Sequence, residues 1–214
     1  ESLVPAFAAK VPEAIWVGCP ETPDGGLALE GRHRLVERWD RATALVVGPG
    51  LGRERETEAL LAELLKSAPV PAVVDADALQ PEVLRAARTP LVLTPHGGEF
   101  ARIAGGAKLA DFSAATKATV VLKGPVTRIA AGGVVYHSFF GGPVLARGGS
   151  GDLLAGLIGA QLARTPADPV GAACRGVAWH GLAADALARA KGSTAVRTTQ
   201  VLDYLGPVLR DGTP

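Results

Sequence analysis

The sequence predicts a three-layer αβα fold of the α/β class, with a mostly parallel central sheet. Three observations carry that expectation. Short apolar runs of strand length recur along the chain, and amphipathic stretches of helix length separate them. The runs end in polar or glycine-rich segments. The 214 residues suit one domain, since domains run to roughly 100–200 residues, and a chain of this size buries a sizeable core without disulfides.

Ala44–Val47 reads as a buried strand entering the tight loop Gly48-Pro49-Gly50-Leu51-Gly52. Arg53–Ser67 reads as a helix, with Leu60, Leu61, Leu64 and Leu65 on one face. Ala72–Val74 is the next strand and ends in Asp75-Ala76-Asp77. Pro81–Ala87 is a short helix, because proline is tolerated in a first turn. Leu91–Leu93 is a strand ending in Thr94-Pro95-His96-Gly97-Gly98-Glu99, with a helix over Glu99–Ala104. A helix over Ala110–Lys117 precedes the strand Thr119–Leu122, which ends in Lys123-Gly124. Thr127–Ala130 and Val134–His137 form a hairpin around Gly132-Gly133. Leu153–Ala163 and Val170–Ala190 are helices, and Thr198–Leu209 is a last helix with Thr198 or Thr199 as its N-cap. Residues 1–40 are proline-rich and give no regular pattern.

Lys and Arg number 22 against 21 Asp and Glu, a net charge of +1, which argues against a polyanion-binding protein. An apolar fraction of 48% with 20% charged residues excludes a disordered or collagen-like chain. Cys19 and Cys174 form no CxxC or Cys/His cluster, so both are expected to be free thiols in a reducing cytoplasm. The apolar stretch Leu153–Leu162 is too short to span a bilayer. No membrane or nucleic-acid partner is expected.

Ligands of open α/β sheets bind at the carboxyl ends of the strands. A parallel arrangement brings Gly50-Leu51-Gly52, Asp75-Ala76-Asp77, His96-Gly97-Gly98-Glu99 and Lys123-Gly124 to one rim. The run Gly148-Gly149-Ser150-Gly151-Asp152 then opens a helix. Its glycines permit close backbone approach, and its free N–H groups with the helix dipole make an anion pocket. Asp152 sits at the mouth of that pocket, within reach of a substrate hydroxyl. Each residue also has a plainer use. Asp152 and Glu99 suit a helix N-terminus, His96 suits a cap, Lys123 suits a solvated strand end, and Asp75 and Asp77 suit a turn. No Gly-Lys dipeptide occurs, which excludes the P-loop, and Gly48–Gly52 lacks the GxGxxG spacing. His33 and His137 read as surface residues and His180 as helix packing.

These motifs, with Thr127 and with Trp179-His180-Gly181 and Asp185, resemble the ADP/ATP-dependent NAD(P)H-hydrate dehydratase family of the ribokinase-like superfamily. The resemblance runs from about residue 40 to the C-terminus. It implies ADP-dependent dehydration of (6S)-NADHX and (6S)-NADPHX to NADH and NADPH, releasing AMP and phosphate. By resemblance, Asp152 is the catalytic base and touches the hydrate. Gly50, Gly52, Asp75 and His96 lie on that substrate as well. Lys123, Gly124, Pro125, Val126, Thr127 and Gly151 surround the nucleotide, which is ADP or ATP. Gly148, Gly149, Ser150 and Gly151 form the anion hole, and Glu99 organises Mg²⁺ through water. The family also implies a cytoplasmic homo-oligomer, a tetramer or larger. It places a first strand and a Gly/Ala-rich segment upstream of Glu1, and in many bacterial members an epimerase domain as well.

The chain departs from the family pattern at Gly97, where proline is usual, and at Arg147, where threonine is common; a guanidinium at that place is expected to assist a phosphate. Two other functions fit the same motifs. One is a kinase of this fold acting on a vitamin or sugar alcohol. The other is a non-catalytic nucleotide-binding module.

Overall fold

The computed structural model describes residues 1–210. The segment before the first strand, whose residues 1–40 give no regular pattern, forms the helices α1 (Val4–Lys10) and α2 (Arg32–Val36) with 3₁₀ turns at Leu29–Gly31 and Trp39–Arg41. Helix α1 buries no residue, whereas Cys19, Thr22, Ala28 and Gly31 are buried. Thr57 Oγ1 donates to the Leu27 carbonyl, and Thr22 Oγ1 donates to Glu54. Side chains of the following helix thus organise this segment, which is why local periodicity does not reveal it.

From there strands and helices alternate. The elements are β1 (Leu45–Val47), α3 (Arg55–Ser67), β2 (Ala72–Val74), α4 (Pro81–Ala86), β3 (Leu91–Leu93), α5 (Gly97–Ala104), α6 (Leu109–Thr116) and β4 (Thr119–Leu122). The hairpin β5 (Thr127–Ala131) and β6 (Val134–Ser138) follows, then α7 (Ser150–Arg164), α8 (Pro169–Lys191) and α9 (Leu202–Arg210). The sheet order is β1-β2-β3-β4-β5-β6. The first four strands are mutually parallel, and β5 and β6 are antiparallel to their neighbours. Gly132 and Gly133 both take positive φ, as a tight hairpin turn of two residues requires.

Strand alternation separates two cores. Ala72, Val74, Leu91, Leu93, Val120 and Leu122 face one layer, where Leu61 and Leu65 of α3, Val83 of α4, Ile103 of α5 and Phe112 of α6 meet them. Val73, Val92 and Val121 face the other, against Ile158 and Leu162 of α7 and Ala172, Ala173 and Val177 of α8. Each fully buried aliphatic side chain contributes roughly 1.5–3 kcal/mol. The second layer packs closely because its helices carry small residues. A Cβ on Gly176 of α8 would stand 3.0 Å from the Ile158 Cα, so only glycine admits this crossing. A third cluster, including Val144, Ala183, Leu187 and Val208, seats α9 on α8, and Trp179 Nε1 donates to the Leu205 carbonyl at 2.9 Å.

Boundaries moved where caps decided them. Helix α7 begins at Ser150, ahead of the expected Leu153, because Gly149 in the left-handed region (φ 81°) is its N-cap. Thr198 does not cap the last helix. A 3₁₀ turn over Thr198–Val201, capped by Arg197, precedes α9, and the Thr198 hydroxyl donates instead to the Gly148 carbonyl at 2.9 Å. Cys19 and Cys174 are free, as expected. No helix among the described residues is long and apolar enough to cross a membrane.

The turn after β1 lies close against the backbone of Asp75. Gly48 has φ 125°, and a Cβ there would stand within bonding range of the Asp75 carbonyl, at 1.7 Å. Gly48→Ala therefore combines backbone strain with a clash that no rotamer relieves. It is expected to lower stability by about 3–5 kcal/mol, read as a shifted urea midpoint. A loss under about 1 kcal/mol would show that this loop is free to move.

Candidate functional site

The carboxyl ends of β2, β3 and β4 meet beneath the start of α7. Asp75, just past β2, is 1% exposed. Its Oδ1 accepts from Lys123 Nζ at 2.8 Å, and its Oδ2 is buried without a hydrogen-bond partner. Lys123, just past β4, is 21% exposed and also stands 3.9 Å from Glu99 Oε2. A Cβ on Gly151 would lie 3.1 Å from Lys123 Nζ and 3.9 Å from Asp75 Oδ2. The ion pair is thus the floor, and the first turn of α7 lies directly above it.

No side chain caps α7. The Ser150 amide donates to the Arg147 carbonyl at 3.3 Å, so the next amides of the turn, with the positive end of the helix dipole, are the ones available to an anion. Asp152 is in this first turn, exposed, and among the described residues has no hydrogen-bond or ion-pair partner. A carboxylate in that state is open to a ligand proton.

His96 and Glu99 form a reciprocal capping box at the start of α5. His96 Nδ1 accepts from the Gly98 and Glu99 amides at 3.0 and 3.3 Å, and Glu99 Oε2 accepts from the His96 amide at 2.7 Å. The cap leaves the ring proton on Nε2, on an exposed side chain. The capping use of His96 and Glu99 is therefore real. Gly97, the first residue of α5, stands where proline would preset φ, and the box holds this turn in its stead.

A cavity of about 700 Å³ opens beside the pair. His96, Lys123, Gly124, Pro125, Thr127, Ser150, Gly151 and His180 line it, and Phe140, Pro143, Leu145 and Leu154 add apolar surface. Most of the nucleotide set expected from sequence is therefore gathered in one place; Val126 is not on the lining. Gly148, Gly149 and Asp152 also fall outside the lining. Gly50, Gly52 and Asp75 lie on the neighbouring side, where Gly48 abuts Asp75. There Asp77 holds the glycine loop. Its Oδ2 accepts from the Gly52 amide at 3.1 Å, and its Oδ1 faces Arg53 Nε at 3.2 Å. Asp75 reaches the site through Lys123, its own carboxylate being closed off.

Arg147 differs from expectation. Its guanidinium donates to the carbonyls of Pro143, Val144, Ser193 and Thr194, at 2.6–3.1 Å. Those bonds commit its donors to backbone oxygens, so it straps the 193–194 segment to the glycine loop and does not face a phosphate. Sequence reasoning also missed the wall of Phe140 to Leu145, because an apolar loop after a hairpin carries no motif. Among the described residues no three His, Cys, Asp or Glu side chains converge as a metal cage. Glu99 accordingly fits Mg²⁺ only as an outer carboxylate acting through water, with phosphate oxygens as direct ligands.

His180 was read as packing and proves to line the cavity. It is 4% exposed, and burial pushes its imidazole down to about 4. As pH falls from the ordinary value of 6.5 toward 4, the unfolded chain gains a proton that the folded chain does not. Stability fully present above about pH 6.5 is therefore lost toward pH 4, by about 3 kcal/mol in total. Urea midpoints across this range should show a component that His180→Asn removes. An identical acid limb in the variant would contradict it.

The chain matches the family model of NAD(P)H-hydrate dehydratase over residues 8–207. A bifunctional NAD(P)H-hydrate repair enzyme from Moorella thermoacetica is 41% identical over 221 residues, covering 96% of this chain and 42% of that protein. The ADP-dependent (S)-NAD(P)H-hydrate dehydratase of Xanthomonas campestris is 33% identical over 94% of this chain and 72% of that protein. The fold aligns with the ADP/ATP-dependent NAD(P)H-hydrate dehydratase of Bacillus subtilis, co-crystallized with ATP/Mg²⁺. That alignment has a TM-score of 0.78 at 27% identity and covers 99% of this chain and 76% of the other. The chain spans less than half the length of the bifunctional relatives it matches. With these matches and this site, the chain belongs to the NAD(P)H-hydrate dehydratase family.

Proposed function

We propose that this chain carries ADP-dependent dehydration of (6S)-NADHX and (6S)-NADPHX, releasing NADH or NADPH, AMP and phosphate. One observation carries the reading. The uncapped start of α7, with Gly151 above the Lys123 ammonium, opens on a nucleotide-sized cavity and presents an unpartnered carboxylate, Asp152, in the same turn.

The chemistry follows from that arrangement. The nucleotide lies in the cavity with its terminal phosphate toward Ser150, Gly151 and Lys123. The hydrated nicotinamide ring lies on the neighbouring side, against Gly50 and Gly52, and reaches His96 at the cavity wall. Asp152 accepts the proton of the C6 hydroxyl. The hydroxyl oxygen attacks the β-phosphorus, the bond to the bridging oxygen breaks, and AMP departs with that electron pair. Phosphoryl transfer of this kind depends mainly on positioning and charge stabilisation. The α7 amides supply fixed dipoles where charge develops, and the Lys123 ammonium, anchored by Asp75, adds a cation. The C6–O bond then breaks, phosphate leaves with the electron pair, C5 loses a proton, and the C5=C6 double bond reforms. The logic is that hydroxide leaves poorly and phosphate leaves well. Mg²⁺, when bound, would neutralise phosphate charge, and Glu99 would hold it through water.

Asp152→Asn keeps the shape of the first turn and removes the base. Turnover, followed as recovery of reduced-nicotinamide absorbance from hydrated NADH and ADP, should fall by about 10²–10⁴-fold. ADP affinity by calorimetry should stay within about threefold. Undiminished turnover in the variant would reject Asp152 as the base, and accumulation of a phosphorylated product by the wild type would favour a kinase.

A further inference from the structure

We propose that Arg147 is a positioning residue for the nucleotide, fixing the anion loop and one wall of the cavity through backbone carbonyls without touching the ligand; this rests on the nucleotide reading above. The first ground is where its donors go. Nη1 donates to the Pro143 and Val144 carbonyls at 3.0 and 3.1 Å, and Nη2 donates to the Ser193 and Thr194 carbonyls at 3.0 and 2.6 Å. Arg147 and Ser193 are 46 residues apart, so no local turn makes this join. A planar guanidinium fork serves both stretches of backbone at once, which an ammonium on a flexible stem does not.

The second ground is what those carbonyls belong to. Pro143 and Val144 lie in the 3₁₀ turn Gly142–Leu145, and Gly142, Pro143 and Leu145 line the cavity. Val144 is buried in the cluster that seats α9 on α8. On its other flank Arg147 leads directly into Gly148 and Gly149, and its own carbonyl accepts from the Ser150 amide. Arg147 itself is not on the cavity lining. It therefore joins the wall to the anion loop, and ties both to residues 193–194.

The third ground is the composition of the loop. Gly148 and Gly149 are exposed and carry no side chain that could anchor them, and no side chain caps α7. Glycine has the most backbone freedom to lose, so an unheld glycine run pays an ordering cost whenever it closes on a ligand. The ties come from behind, from one segment. Arg147 grips it at Ser193 and Thr194, and the Thr198 hydroxyl donates to the Gly148 carbonyl at 2.9 Å. Amides fixed before the ligand arrives bind it at lower cost, and they stay aimed where charge develops.

The test compares Arg147→Ala and Arg147→Lys with the wild type, by calorimetry with ADP and by recovery of reduced-nicotinamide absorbance from hydrated NADH. Arg147→Ala should weaken ADP about tenfold and lower kcat by about 10–100-fold. The KM for hydrated NADH should stay within about twofold, because Asp77 and not Arg147 holds the glycine loop after β1. Free guanidinium at low millimolar concentration should restore part of both losses in Arg147→Ala. Arg147→Lys, which keeps the charge and lacks the fork, should show the same losses. ADP affinity and turnover at the wild-type level in both variants overturn the proposal. So does a hydrate KM raised as much as that for ADP, or a loss that guanidinium leaves unrepaired, since either marks a general loosening of the fold. Failure of the wild type to bind ADP overturns the nucleotide reading together with it. Should Arg147→Ala not fold, Arg147→Lys decides alone: weakened ADP with an unchanged hydrate KM supports the proposal, and unchanged ADP affinity overturns it.

Discussion

A partly buried ion pair sets the geometry of this site. Asp75 and Lys123 come from the ends of β2 and β4, with β3 between them, and can meet only if these three parallel strands are in register. Taking such a pair out of water is costly, and its attraction offsets that cost only when the geometry is good. At 2.8 Å the Lys123 ammonium is held at one place, directly under Gly151. Any side chain at position 151 would push against it. The anion-binding start of α7, the floor of the cavity and the seat of Asp152 are therefore consequences of where this pair sits.

The pair also divides the site. On one side lies the cavity, lined by Lys123, the start of α7 and apolar side chains. On the other side lies the glycine loop after β1, pressed against the Asp75 carbonyl by Gly48 and pinned by Asp77. A reaction that joins two molecules needs two such compartments with the reactive groups at their boundary. The first turn of α7 occupies that boundary. Arg147 and Thr198 hold the glycine run from behind, through backbone carbonyls, so the loop is stiff without any side chain entering it.

Much of this was legible in the residues. β2, β3 and β4 announced themselves as apolar runs, and their ends as polar or glycine-rich departures, because a strand buried on both faces and a ligand-facing turn need opposite compositions. The glycine run before α7 was legible for a similar reason: an uncapped helix start is written as small residues. What failed to show was long-range. Thr22 and Leu27 are held by Glu54 and Thr57, at and after the N-cap of α3, and no local period encodes that. Arg147 looked like a phosphate ligand because sequence shows a donor's identity and not the four carbonyls already around it. His180 looked like packing because burial and an unpaired ring nitrogen are properties of the folded neighbourhood alone.

A crystal structure with ADP bound would test the central claim most directly. The account predicts the terminal phosphate within hydrogen-bond distance of the amides opening α7 and of Lys123 Nζ, with Asp75 still paired and Asp152 open to the neighbouring side. A phosphate bound away from that turn, or an α7 start closed by a side chain with Lys123 drawn off Asp75, would contradict it.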